Sequence, residues 1–135
     1  MKVLIVNGSS HVNGTTMQAV QEVQKIFHDA NVDTEVIQLG NKPIRDCIQC
    51  GYCFKHGECV FKDDDVNAFV EKAKDADGFI FATPVYYAHP SGRILSFLDR
   101  VFFSAENVTP NPFAFKPGAS IAVARRGGTT ASFDV

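Results

Sequence analysis

The sequence has no tryptophan, little net charge and no long hydrophobic run, and these shortages exclude several functions. Its 135 residues carry a formal net charge of −2, which provides no basic surface for nucleic acid or anionic lipid. No segment approaches the roughly 18 consecutive apolar residues that a membrane-spanning helix needs. The first apolar run, residues 3–6, is too short for the core of a signal peptide. We therefore expect a cytoplasmic protein that binds neither nucleic acid nor membrane.

Cysteine is also scarce, and its four residues lie close together in the sequence. They fall within thirteen positions, at Cys47, Cys50, Cys53 and Cys59. Because thiols stay reduced in the cytoplasm, we expect ligands or redox groups rather than disulfide partners. Gly51 and Gly57 allow the chain to turn between them, so that four thiolates could converge on one centre.

The hydrophobic pattern alternates between short strands and amphipathic helices. Strands are predicted at residues 3–6, 33–39, 78–82 and 119–124, and helices at about 15–28, 63–74 and 91–103. This alternation predicts right-handed βαβ units and a parallel sheet covered by helices on both faces, within a single domain of residues 1–135. Residues 40–61 follow neither period, which predicts a long irregular loop of functional importance.

The loop after the first predicted strand, residues 8–16, is rich in Gly, Ser and Thr. Its small residues let the backbone curl around an anion, and the following helix directs its positive end into the loop. The composition predicts a phosphate cradle, although a plain turn with Thr15 or Thr16 as the helix cap would use the same residues. The loop lacks the lysine of a Walker A motif and the G-x-G-x-x-G spacing, which argues against nucleoside triphosphates and dinucleotides.

Two further loops follow predicted strands at the edge where open α/β sheets bind ligands. Residues 83–92 contain Tyr86 and Tyr87 between two prolines, a surface suited to a flat heteroaromatic ring. Residues 125–128 read Arg-Arg-Gly-Gly, which would suit a carbonyl or phosphate group. The alternatives are tyrosines that only cover the end of the sheet and arginines that are only solvated.

Taken together and in this order, these loops resemble those of the NAD(P)H-dependent FMN reductase family. The phosphate loop of the family is similar to G-S-x-R-x-x-S/G-x-T, and this sequence matches it at Gly8, Ser9, Gly14 and Thr16. The flavin loop T/S-P-x-Y is matched at residues 83–86. His11 stands where the family usually has arginine, so backbone N–H groups and hydroxyls are expected to meet most of the phosphate charge.

The resemblance implies a flavodoxin-like fold, in which a doubly wound parallel sheet of order 2-1-3-4(-5) forms a three-layer sandwich. That fold has one more helix and strand after residue 128. Since the sequence ends at Val135, we expect the last helix and strand to be missing from it.

The resemblance also implies the residues that bind FMN. Its phosphate would be held by Ser9, His11, Asn13, Gly14, Thr15 and Thr16. Its isoalloxazine ring would be bordered by Pro84, Val85, Tyr86 and Tyr87, with Gly127 and Gly128 near the other edge. No side chain is expected to act as catalytic acid or base, since the flavin N5 accepts the hydride from NAD(P)H.

The implied function is an FMN-dependent oxidoreductase that transfers electrons from NAD(P)H to a small acceptor such as a quinone, a flavin, or a nitro or azo compound. Residues 83–92 include no Asp or Glu, so a reduced flavin anion would meet no repulsion from that loop. The alternative is a non-enzymatic electron carrier or redox-sensing module that uses FMN, the cysteines or both. Relatives are commonly homodimers or homotetramers, and we expect the same here.

The cysteine spacing resembles that of the iron–sulfur flavoproteins, relatives that carry a [4Fe–4S] cluster beside FMN. By that resemblance Cys47, Cys50, Cys53 and Cys59 would be the cluster ligands. Two alternatives remain open. The thiols could be free and merely pack the loop, or they could bind a structural zinc ion.

Overall fold

The computed structural model describes residues 1–135 and consists of four strands alternating with five helices. The strands are β1 Lys2–Asn7, β2 Asp33–Gln38, β3 Gly78–Pro84 and β4 Gly118–Val123. The helices are α1 Thr15–Asp29, α2 Tyr52–His56, α3 Val66–Ala73, α4 Gly92–Ala105 and α5 Thr129–Phe133. All strand pairs are parallel, in the order β2-β1-β3-β4. The predicted flavodoxin-like order is therefore confirmed for these four strands.

Strand β1 lies inside the sheet because its side chains are apolar on both faces. Leu4 and Val6 pack with β3, α3 and α4 in one core, whereas Val3 and Ile5 pack with α1 in a second core on the opposite face. A strand that alternates between two cores produces the three-layer sandwich that the sequence predicted.

The larger core is built around aromatic rings. Phe69 of α3 meets Phe97 of α4 edge to face, with 5.1 Å between the ring centroids. Phe79 of β3 lies 4.9 Å from the ring of Phe113, which follows α4. The first pair joins α3 to α4, the second joins β3 to the segment after α4, and Phe69 also lies 6.2 Å from Phe79, which joins α3 to the sheet. None of the helices combines the length and the apolar character required to cross a lipid bilayer.

The prediction of a wholly irregular loop at residues 40–61 is wrong for one short stretch, because α2 forms within it. Gly51 before the helix and Gly57 after it both have a positive φ, of 71° and 66°. Within the helix, the rings of Tyr52 and His56 stack at 4.0 Å. A helix of five residues is too short to generate a hydrophobic period, which explains why the pattern did not indicate it.

The other boundaries differ from the prediction by a few residues. Helix α3 begins at Val66 instead of at the aspartate triplet of residues 63–65, because the Asp64 carboxylate accepts a hydrogen bond from the Val66 N–H at 3.2 Å and stays outside the helix. Helix α4 begins after Ser91, whose hydroxyl accepts a hydrogen bond from the Ile94 N–H at 3.4 Å. Ser91 is thus an N-cap, as the sequence indicates.

Candidate functional site

The loops that follow β1, β3 and β4 meet in one pocket at the carboxyl edge of the sheet. We call it the three-loop pocket. It is lined by Ser9, His11, Gly14, Thr15, Thr16, Pro84, Tyr86, Val123, Ala124 and Arg125. It encloses about 820 Å³, including its open mouth. The parallel sheet brings these loops together because the carboxyl ends of its strands share one edge.

The N-terminus of α1 forms one wall of this pocket. The prediction of Thr15 or Thr16 as the cap is wrong, since Gly14 occupies the N-cap position and no side chain caps the helix. The Gln18 N–H donates to the Gly14 carbonyl at 3.1 Å, so the N–H groups before it in the first turn have no backbone partner. These donors and the helix dipole make the wall suitable for a phosphate group.

Tyr86 forms part of another wall, and its hydroxyl lies 3.4 Å from the Ser10 hydroxyl. The loop that carries Tyr86 is folded back by an antiparallel bridge between Val85 and Pro90. It is also fixed to the sheet, because the Val85 N–H donates to the Val123 carbonyl at 2.8 Å. Tyr87 is not part of the pocket lining and is 91% exposed.

Gly128 supports this loop from behind the pocket. Its φ is 101°, and a Cβ atom on it would lie 2.7 Å from both the Ala88 Cα and the Val85 Cγ1. A glycine is therefore required here for close packing as well as for the backbone conformation. Nothing lies within 4 Å of a Cβ built on Gly127.

The structure thus divides the residues that the sequence assigned to FMN. The lining of the three-loop pocket includes Ser9, His11, Gly14, Thr15, Thr16, Pro84 and Tyr86. It does not include Asn13, Val85, Tyr87, Gly127 and Gly128. Sequence reasoning missed Val123 and Ala124, whereas Arg125 belongs to the Arg-Arg-Gly-Gly segment that it singled out as a ligand loop. The lining contains no Asp or Glu.

The four cysteines border a second pocket, which we call the cysteine pocket. Besides Cys47, Cys50, Cys53 and Cys59, its lining comprises Ile48, Gln49, Gly51, Val60, Phe61, Arg100, Phe103 and Ser104. Cys47 and Cys50 are exposed, whereas Cys53 is buried. Burial raises the pKa of the Cys53 thiol, and the neighbouring thiols of the other three cysteines raise it further.

Arg100 of α4 connects this pocket to the body of the protein. Its side chain is 1% exposed and forms a two-pronged ion pair with the Asp64 carboxylate. Its Nε donates to the Cys59 Sγ at 3.1 Å. Burial alone would lower the pKa of Arg100, but Asp64 and Cys59 outweigh it and raise that pKa above its ordinary value. No local sequence pattern indicates this role, because Asp64 lies 36 positions before Arg100.

The donors of the cysteine pocket fit an iron–sulfur cluster in chemical type and in number, since four thiols border one space of about 340 Å³, part of it open to solvent. The thiols do not form a site for a single metal ion: no three Cys, His, Asp or Glu side chains are grouped closely enough to hold one. The assignment of these cysteines as metal ligands stays a prediction.

Known proteins resemble the chain in both sequence and structure. The sequence pattern of the family described as NADPH-dependent FMN reductase matches residues 1–135. An iron–sulfur flavoprotein of Methanocaldococcus jannaschii is 35% identical over 100 residues, which cover 74% of this chain and 51% of that relative. A second iron–sulfur flavoprotein of the same organism is 31% identical over 131 residues, 95% of this chain and 65% of the relative.

Among solved structures, RosB with a bound derivative of riboflavin 5′-phosphate superimposes with a TM-score of 0.76 at 17% identity. The superposition covers 99% of this chain and 56% of that one. At this identity the likeness shows the fold alone, and it confirms the predicted fold class. The chain spans about half the length of the first of the two curated relatives.

Proposed function

Because this chain belongs to the NADPH-dependent FMN reductase family, we propose that it binds one FMN in the three-loop pocket and transfers electrons from NAD(P)H to a small acceptor. The observation that carries the proposal is the meeting of three strand-end loops beside the uncapped N-terminus of α1. One wall offers hydrogen-bond donors for a phosphate, and the other offers a tyrosine ring and a proline for a flat heterocycle.

Each wall has its own task in this proposal. Ser9, Thr15 and Thr16 hold the phosphate together with the free N–H groups of α1, while Pro84 and Tyr86 border the ring. The chemistry that FMN supplies when bound is acceptance of hydride from NAD(P)H and delivery of electrons to the acceptor. Because the pocket lining has no carboxylate, no fixed negative charge opposes reduction there. Its open mouth admits a planar acceptor of the quinone, flavin, nitro or azo class.

We also propose that Cys47, Cys50, Cys53 and Cys59 bind a [4Fe–4S] cluster. Three observations support this assignment: the shared cysteine pocket, the compact spacing, and the hydrogen bond from a buried arginine to Cys59. The relatives named iron–sulfur flavoproteins point the same way. Free thiols and a bound zinc ion are the competing outcomes, and metal analysis separates them.

We further propose that the protein works in the cytoplasm as a homodimer or homotetramer. Large apolar side chains are exposed near both pockets, including Ile48 at 58%, Phe54 at 63% and Tyr87 at 91%. Contiguous apolar patches are typical of surfaces that associate, and in this proposal subunit contacts cover these side chains.

A second candidate function is a non-enzymatic electron carrier or redox sensor, which the four thiols of the cysteine pocket favour. Rapid oxidation of NADPH by the flavin-loaded protein, with a quinone as acceptor, would exclude a pure carrier. Oxidation that occurs only after an external reductase is added would instead support the carrier.

The first experiment is an absorption spectrum of anaerobically purified protein, with iron, sulfide and zinc analysis. Flavin together with iron and sulfide is the expected result, whereas flavin without iron would refute the cluster but keep the reductase. A protein that stays colourless and takes up no added FMN would overturn the whole proposal.

Two variants separate the pockets. Cys59→Ser should lower the iron content and leave flavin uptake unchanged. Thr16→Val should weaken flavin uptake and leave the iron content unchanged.

A further inference from the structure

A chain of three side-chain hydrogen bonds lies behind the three-loop pocket and joins its first loop to the neighbouring strand. Asn7 ends β1 and Gln38 ends β2, and the two residues are paired in the parallel register. Asn7 is fully buried, and its Nδ2 donates to the Gln38 Oε1 at 2.7 Å. Both amides also contact the backbone of Ser9, which lines the pocket.

The orientation of both amides is determined by the backbone groups that they meet. The Ser9 N–H can only donate, so the Asn7 Oδ1 must be the atom that faces it at 3.1 Å. Asn7 Nδ2 then has to face an acceptor, which is the Gln38 Oε1. That leaves the Gln38 Nε2 to donate to the Ser9 carbonyl at 2.6 Å. Turning either amide would place two donors or two acceptors against each other.

This chain leaves Ser9 with one free hydrogen-bond donor. Its N–H and carbonyl are used by Asn7 and Gln38, and its Oγ accepts from the His11 N–H at 3.1 Å. The hydroxyl proton of Ser9 therefore remains available for a ligand in the three-loop pocket. The position of that hydroxyl depends on the peptide group that Gln38 holds.

We propose that Gln38, a residue outside the pocket lining and outside the loops, is a positioning residue for the phosphate of FMN. It acts through Ser9, by fixing the peptide plane from which the hydroxyl and the following loop project. The inference rests on the proposed function, since it requires the phosphate to lie beside Ser9 and the N-terminus of α1. It extends the site to β2, which contributes nothing to the pocket lining.

The test compares two ligands that differ only in the phosphate, FMN and riboflavin, on the flavin-free full chain. Gln38→Leu removes the donor to Ser9 and keeps a side chain of similar size. The matched control is Gln24→Leu. Gln24 is also half-buried, and its Nε2 donates to the Thr34 Oγ1 of β2 at 2.9 Å, away from the pocket. Kd is measured by quenching of flavin fluorescence, and Tm is recorded for each variant.

We expect Gln38→Leu to raise the Kd for FMN about tenfold, the size of effect that a hydrogen bond to a buried carbonyl produces. The Kd for riboflavin should change less than about twofold, because riboflavin makes no phosphate contact. Gln24→Leu should leave both values within about twofold. Gln38→Glu should lose more FMN affinity than the leucine variant, since a carboxylate would face the Ser9 carbonyl and repel the phosphate.

Three other results have separate meanings. Equal weakening of FMN and riboflavin by Gln38→Leu would overturn the inference, because Gln38 would then be only structural. An unchanged FMN affinity would overturn it as well. A wild-type chain that binds FMN no better than riboflavin would contradict the proposed function itself. If riboflavin binds too weakly to measure, the FMN affinity of Gln38→Leu against that of Gln24→Leu decides.

Discussion

At the scale of single residues, the glycines at the end of β4 are a sharp test of the packing behind the three-loop pocket. Gly127→Ala adds a Cβ into open space, whereas Gly128→Ala adds one only 2.7 Å from two atoms of the Tyr86 loop and keeps a φ of 101°. The two substitutions are identical in chemistry and adjacent in sequence, so they differ only in the surroundings of the added Cβ and in the backbone conformation.

We predict that Gly128→Ala lowers the free energy of unfolding by about 2 kcal/mol and weakens FMN binding, because Val85 and Ala88 must move away from the added Cβ. Gly127→Ala should stay within about 0.5 kcal/mol of wild type. Urea unfolding of both variants measures the difference. Equal stabilities would mean that the loop adapts to the added methyl group at little cost.

Arg100 tests the other pocket at the same scale. Removing its charge by Arg100→Met leaves the Asp64 carboxylate, which is 9% exposed, without a cationic partner. We predict a loss of about 3 kcal/mol of unfolding free energy. Arg45→Met is the matched control, because Arg45 pairs with Asp63 at the surface with both side chains at least half exposed, and it should cost under about 1 kcal/mol.

The double variant Arg100→Met with Asp64→Asn tests the reason for that loss. An amide has no charge to leave unpaired, so stability should recover in part. A double variant as unstable as Arg100→Met alone would assign the loss instead to the missing stacking of the Arg100 guanidinium on the Phe61 ring.

At the scale of elements, the sequence predicted the strands and helices that have a hydrophobic period, and it missed the features that depend on contacts between distant residues. The continuous apolar run of β1 and the stripes of α1 and α4 are local patterns, and these elements form where the patterns indicate. Helix α2 depends on two glycines with positive φ and on one ring stack, which produce no period. In the candidate site, the loops could be predicted from their amino-acid composition. Gln38 could not, because its partner Ser9 is 29 positions away, and neither could Arg100, whose partner Asp64 is 36 positions away.

Helix α4 links the two pockets. Its cap Ser91 donates to the Gly8 carbonyl at 3.0 Å, in the loop of residues 8–16, and Arg100 of the same helix reaches the cysteine pocket. Ser91 and Arg100 are nine positions apart, which corresponds to about 13 Å along a helix axis. The start of α4 therefore contacts a loop of the three-loop pocket, and the middle of α4 contacts the cysteine pocket.

We predict that Ser91→Ala lowers the free energy of unfolding by about 2 kcal/mol, because it removes the cap and leaves the Gly8 carbonyl without its hydroxyl partner. Ser96→Ala, in the same helix and half-buried, forms none of these bonds and should change stability by less than about 0.5 kcal/mol. Thermal unfolding of the two variants gives the comparison. A larger loss for Ser96→Ala would contradict the role of Ser91 as the link.

At the scale of the whole molecule, ion pairs join strands β1 and β2 to the helical layer. Glu35 of β2 pairs with Lys2 of β1 at 2.6 Å and with Lys72 of α3 at 2.5 Å. The hydrogen bond from Lys2, followed by that from Lys72, holds the pKa of Glu35 below its ordinary value. This carboxylate thus connects three elements far from the ligand edge.

The direction of that shift determines how stability depends on pH. Since the pKa of Glu35 is lower in the folded than in the unfolded chain, its contribution is fully present above the unfolded pKa and is lost as the pH falls through the folded pKa. We predict that Glu35→Gln is less stable than wild type at pH 7 and that the two converge in acid. Urea unfolding at a series of pH values tests this. A difference that persisted below the folded pKa would attribute the loss to the shape of the side chain, because no carboxylate charge remains there.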